Sequence, residues 1–270
     1  MASEITSLLQ HGWKNLWKNR AIWLFSSLTL IEPLIRLVVP IQKITDLPSS
    51  LLNLVVSLAS VYFTFMSIAG VSFVAHCIAT GWIVDFRTAF EESKDLFWRV
   101  VAFSFLLLIF IAPFACIVAF SLWEFLQIKD IYHNLFFASI PLSVFAAMGY
   151  FPITETITSN SKIGKSLKAA WTVFTYHFFD LAITGLLLMV GLRAIIISIS
   201  LASMLIQNNF DVSAFGKLDF ISPQLSFPNN NLYKLIIAIP QAIWQTYTAS
   251  IFMFAYLKYS GAKMSKQSTP

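Results

Sequence analysis

Charge is what this sequence has least of. Only 11% of its 270 residues are Asp, Glu, Lys or Arg, against about 25% in a soluble domain, whose water-facing surface needs them. With 57% apolar residues and a mean hydropathy of +0.74, a surface covered by water is excluded. Lipid is the common alternative. Cysteine is nearly absent, and Cys77 and Cys116 both fall in apolar runs, so a disulfide framework is excluded. No N-x-[ST] acceptor occurs. The signatures of catalysis are missing as well. There is no H-E-x-x-H and no G-x-S-x-G, and Gly164-Lys165-Ser166 has Ser159 where a phosphate-binding loop needs its first glycine. The histidines are scattered, with His76, His177, Asp180 and Glu155 near span ends but no shared ligand spacing. Anchoring or hydrogen bonding is the role expected of them, and no catalytic residue, metal or cofactor is expected. Nor is a cleaved leader, because the first apolar run follows an amphipathic stretch and lacks a small-residue cleavage pattern.

What is present is a series of long apolar runs. A membrane core about 30 Å thick needs about 20 apolar residues, and six runs meet that length: 21–39, 51–78, 100–122, 135–157, 178–204 and 235–257. Pro33, Pro113, Pro141, Pro152 and Pro240 lie inside them, as membrane helices tolerate. The expected fold is therefore an all-α integral membrane protein with six transmembrane helices. Orientation follows the cations. Lys14, Lys18, Arg20, Arg87, Lys94, Arg99, Lys162, Lys165, Lys168, Lys258, Lys263 and Lys266 fall on one side; Lys43, Lys129, Lys217 and Lys234 fall on the other. Both termini are expected in the cytoplasm, in a plasma (cell) membrane. Trp17, Trp82, Trp98 and Trp171 gather at the same interface, where indole is favoured. The net charge of +5 does not point to nucleic acid, since the basic residues adjoin apolar spans, where anionic head groups attract them. The long connection from Gln207 to Lys234 is too apolar for a free linker and is expected to fold over the bundle mouth.

The stretch 161–192 displays the organising pattern most clearly. Ile163, Leu167, Ala170, Trp171 and Phe174 share one helical face, with Lys162, Lys165 and Lys168 off it. This is the pattern of an interfacial helix whose apolar side enters the acyl boundary, and it runs directly into a span. Phe86, Phe90, Ser93 and Phe97 occupy the positions of Ile163, Leu167, Ala170 and Phe174 at an offset of 77 residues; Leu9, Trp13 and Leu16 precede them by the same offset. The chain thus reads as one membrane domain, 1–270, of three units, 1–82, 83–160 and 161–270, each an amphipathic helix followed by two spans.

A basic amphipathic helix with an A-W-x-x-F core, here Ala170, Trp171 and Phe174, resembles those of a bacterial multi-pass family. That family includes the membrane domain attached to some glycerophosphodiester phosphodiesterases. The closing run 246–263, TYTASIFMFAYLKYSGAK, is similar to the end of such domains. The resemblance implies a six-helix bundle and carries over no catalytic residue. No segment outside the spans is long enough for the soluble phosphodiesterase barrel.

Polar residues inside the spans are the candidate site. Asn53, Ser57, Ser60, Thr64 and Ser67 keep to one side of the second span, and Gln241, Gln245 and Thr248 to one side of the sixth. Two readings stand: close helix packing, the commoner use of such residues, or the lining of a polar cavity. Arg193 and Arg36 each lie fifteen residues into a span, at about 22 Å. An unpaired arginine there costs roughly 3 kcal/mol or more. Matched depth therefore leads us to expect Arg193 to pair with Glu32, with Arg36 and Gln241 nearby. Lys14, Lys18, Arg20, Lys162, Lys165 and Lys168 are the head-group candidates. Two functions follow as expectations: a non-enzymatic scaffold or accessory subunit working through lipid or protein contacts, or a transporter or lipid-translocating permease with a polar site near Arg193.

Overall fold

The computed structural model describes residues 2–38, 47–125, 138–207 and 231–261. Of these, 92% are helical and none lies in a strand. Residues 208–230 of the expected outer loop lie outside them, as do Lys43, Lys129, Lys217, Lys263 and Lys266. In chain order the helices are α1 (Ala2–Leu16), α2 (Arg20–Ser27), α3 (Ile31–Val38), α4 (Leu47–Ala79), α5 (Phe86–Phe125), α6 (Phe151–Ser159), α7 (Ile163–Tyr176), α8 (Phe178–Gln207) and α9 (Asn231–Tyr259). Four stretches are long and apolar enough to cross a membrane: Ser50–Ala79, Phe86–Glu124, Ala138–Ser159 and Phe178–Ile199. Only 11% of the most apolar part of α5 is buried. Its exposed Leu108, Ile109, Ile117 and Phe120 form a belt that water would not tolerate at that size.

Two of the six expected spans are not among these four, for separate reasons. The first is broken by a 3-10 turn, Leu28–Leu30, between α2 and α3. Pro33 has no N–H to give the Thr29 carbonyl, and its ring crowds that carbonyl. Ser27 and Thr29 hydroxyls bond back to Leu24 O at 2.7 Å and Ser26 O at 2.8 Å, a habit that bends helices. The sixth, α9, is 29 residues long, but Pro240, Gln241, Gln245, Thr246 and Thr248 dilute its apolar run. The fourth is crossed by a seven-residue 3-10 segment, Ser143–Gly149, just before Pro152, which cannot bond back to Met148.

The amphipathic helices divide in form. α1 and α7 break before the following helix, at 17–19 and at His177. The amphipathic start of α5 does not break, and the helix runs for 40 residues, about 60 Å. Asn19 marks the first break: its Oδ1 caps α2 at Ala21 N (2.9 Å) while its Nδ2 donates to Val84 O (2.8 Å), on the α4–α5 connection.

The centre of the molecule is α9, not the stretch around α7. One core cluster joins Ile22, Phe25, Ala69, Val74, Leu96 and Ile153 to Ala249 and Met253; a second joins Leu8, Phe151, Ala170, Phe174 and Leu181 to Ile251, Phe252 and Tyr256. Both thus close on α9, whose Ala242, Ala249, Ser250 and Ala255 let neighbours approach. Close approach recurs elsewhere. A Cβ on Gly70 would lie 2.0 Å from the Phe25 ring, and one on Gly185 would lie 2.3 Å from the Ser143 carbonyl oxygen.

The faces of α1 and α7 are a correction. They were expected to enter the acyl boundary; instead they pack on protein. Leu8 and Leu16 of α1 are fully buried, as are Ala170 and Phe174 of α7. α1 runs antiparallel along the end of α9: Glu4 meets Lys258 at 3.7 Å, His11 stacks on Phe254 at 4.3 Å, and Tyr247 Oη donates to Leu9 O at 3.0 Å.

Candidate functional site

An ionised side chain inside an apolar helix needs a partner of opposite charge and further hydrogen bonds. The break at Leu28–Leu30 puts Glu32 in the first turn of α3 and Arg36 one turn on, the Glu-before-Arg order that suits a helix. Arg36 Nε lies 2.8 Å from Glu32 Oε1. The other carboxylate oxygen accepts the Ser60 hydroxyl, and Arg36 Nη1 reaches Asn53 Oδ1 at 3.5 Å. Asn53 and Ser60 belong to the polar stripe of α4, so part of that stripe serves the ion pair. Ser57 is exposed, and Ser67 is buried with its hydroxyl unbonded among the described residues. Both members of the pair are about one-third exposed, 33% for Glu32 and 27% for Arg36. The result is a half-buried polar patch between α3 and α4.

Arg193 is elsewhere. Its Nη2 donates to Ser139 Oγ at 3.3 Å, across to the arm that precedes α6. A pairing of Arg193 with Glu32 is not found among the ion pairs of the described residues. The contacts resolved for Glu32 are to Arg36 on its own helix and to Ser60 on α4, and that of Arg193 is to Ser139. Gln241 is exposed and Gln245 half-buried on α9; neither is hydrogen-bonded to the Glu32–Arg36 patch.

The six head-group candidates, Lys14, Lys18, Arg20, Lys162, Lys165 and Lys168, are all exposed. Trp17, Trp82, Trp98 and Trp171 are exposed with them, between 42% and 74%. They belong to the end of the bundle where α4 and α9 finish and α5 and α7 begin, called the basic end below. Several side chains in that region pair with one another, while the buried His76 Nδ1 and Tyr259 Oη have no hydrogen-bond partner among the described residues. Tyr256 Oη donates to Glu155 Oε2 at 2.7 Å, and the His177 ring stacks on Tyr259 at 3.9 Å. Thr156 and Ser166 hydroxyls tie α6 to α7 at 2.8 Å. No group of three or more metal-ligating side chains occurs among the described residues.

One arrangement was not read from the sequence. Glu92, Asp95 and Arg99 of α5 line a recess of about 520 Å³ at the basic end, opposite Thr156 and Asn160. Asn160 ends α6 in the left-handed conformation (φ 46°) that Asn tolerates. From there its Oδ1 accepts Arg99 Nη1 at 3.2 Å. Steps of three and four residues among Glu92, Asp95 and Arg99 carry the signal. It is masked by the common use of such charges as a solvated face. Comparison of the chain with family models, with curated proteins and with solved structures finds no match.

Proposed function

We propose that this chain is a non-enzymatic, six-span membrane bundle with both termini and its basic end in the cytoplasm, acting as a scaffold through anionic lipid and protein contacts. The observation that carries the proposal is on α7. Its apolar face is sealed against the bundle at Ala170 and Phe174, while Lys162, Lys165 and Lys168 are exposed and in no ion pair of the described residues. Ammonium groups left free beside an apolar belt suit an anionic head-group layer, where each contributes about 1 kcal/mol. The likeness to membrane domains of glycerophosphodiester phosphodiesterases belongs to the same proposal. So does the threefold repeat, which one feature favours: Leu16, Ser93 and Ala170, equivalent at the 77-residue offset, are each fully buried. The test is charge reversal. Lys162→Glu, Lys165→Glu and Lys168→Glu together should cut co-purifying anionic lipid severalfold without changing the fold; unchanged lipid and protein co-purification removes the support.

A permease is the second reading, and the Glu32–Arg36 patch with Ser60 and Asn53 is what favours it. Such a protein reconstituted in vesicles would move lipid between leaflets, and Glu32→Gln would slow that movement. Three two-span units are unlike the inverted halves of common transporters, which ranks this reading second.

A further inference from the structure

Two recesses lie end to end along one face of α5. Glu92, Asp95, Arg99, Phe103, Leu106 and Phe110 follow one another at steps of three and four residues, so their side chains share one side of the helix. The first three line the polar recess of about 520 Å³. The last three line an apolar slot of about 330 Å³, whose far wall is Met148, Leu167 and Trp171. The far walls follow the same order. The arm ending in α6 runs back along α5, with Asn160 at the charged recess and Met148 at the apolar slot.

Charge and length together specify an occupant. The recess offers one guanidinium and two carboxylates. Arg99 is hydrogen-bonded to Asn160 but is in no ion pair of the described residues, and neither Glu92 nor Asp95 accepts a hydrogen bond from them. A ligand bearing a phosphate beside a hydrogen-bonding ammonium complements this set. A purely anionic head group would meet two carboxylates, and a quaternary ammonium has no N–H to give them. Beyond Arg99 the face turns wholly apolar. From Arg99 to Phe110 is eleven residues, about 16 Å, close to the roughly 15 Å of hydrocarbon in one leaflet. Leu108 and Ile109 beside the slot are exposed, so it opens towards the apolar belt.

The geometry points to a groove that holds one cytoplasmic-leaflet phospholipid with a primary-ammonium head group. Its phosphate lies at Arg99, its ammonium between Glu92 and Asp95, and one acyl chain in the slot beside Trp171. This assignment rests on the membrane placement proposed above and adds a lipid class distinct from the anionic lipids drawn by Lys162, Lys165 and Lys168.

The test uses the full chain in nanodiscs of equal parts phosphatidylethanolamine, phosphatidylcholine and phosphatidylglycerol, with mass spectrometry of the lipid retained on gentle release. The native chain is expected to retain the ethanolamine lipid about tenfold over the choline lipid, the scale of one charge-assisted hydrogen bond. Glu92→Gln with Asp95→Asn, both at exposed positions, should bring the two to parity and leave the glycerol lipid undiminished. Leu106→Trp should lower retention of both the ethanolamine and the choline lipid. Equal retention of those two by the native chain, or a preference that survives Glu92→Gln with Asp95→Asn, overturns the groove assignment alone. Loss of all three lipids from the native chain overturns the broader lipid reading as well.

Discussion

Glu32 is held by neighbours that cost little to bring together: an arginine one turn away on its own helix and a serine from the adjacent one. Removing one member of such a pair leaves the other charge to be desolvated, typically about 3–5 kcal/mol in a buried setting and less at the one-third exposure found here. Glu32→Gln should therefore lower thermal stability in detergent by roughly 1–3 kcal/mol. Ser57→Ala, on the same stripe but exposed, should stay within about 0.5 kcal/mol. Gly185→Ala is the sharper steric probe, because its Cβ would meet the Ser143 carbonyl at 2.3 Å; a loss of about 1–3 kcal/mol in the same melting assay is expected. Residue spacing made the polar stripe on α4 and the depth of Arg193 and Arg36 legible. Depth is a coordinate along the helix axis only. It carries no information on which helices face each other, so the contact of Arg193 with Ser139 could not be read from it.

At the scale of elements, amphipathic spacing identified α1 and α7 as helices with one apolar face, but not what covers that face. Lipid tails and protein side chains ask for the same pattern. In the structure the cover is protein, and this has a measurable consequence. Leu8→Ala should destabilise the chain by about 2–5 kcal/mol, the cost of a cavity in a packed core, whereas a helix merely resting on lipid would lose little. The start of α5 makes a second prediction. Asp85 accepts the Thr88 hydroxyl at 2.6 Å and the Arg87 and Thr88 amides at 3.1 and 3.3 Å. The Thr88 hydroxyl first, then these amides, hold its carboxyl below its ordinary range. A carboxyl depressed in the folded state adds stability above the unfolded value, about 3.9, that is lost as pH falls through the folded value. Amide exchange at Arg87 and Thr88, corrected for its intrinsic rate, should be flat from pH 7 to about 4 and rise below that. Asp85→Asn, which keeps a cap but cannot titrate, should remove the step.

For the whole molecule, hydropathy reveals helices that face lipid and conceals those that face protein. α5 is the most apolar and the least buried of the four membrane-length stretches. α9, on which both core clusters close, is diluted by half-buried Gln245 and fully buried Thr246, because positions covered by neighbours do not need a lipid-compatible surface. The break at Leu28–Leu30 was foreshadowed by Pro33, though proline inside a membrane helix is common enough to be passed over. The central claim is a bundle that crosses the membrane with its basic end in the cytoplasm, and thiol accessibility in intact cells tests it most directly. In a chain with Cys77 and Cys116 replaced by Ala, single cysteines at Lys14, Lys94 and Lys168 should resist a membrane-impermeant maleimide from outside and react in inside-out vesicles. Cysteines at Lys43 and Lys217 should do the reverse. Labelling of the positions at Lys14 and Lys168 from outside the cell, or on opposite sides of the membrane from each other, would contradict the account.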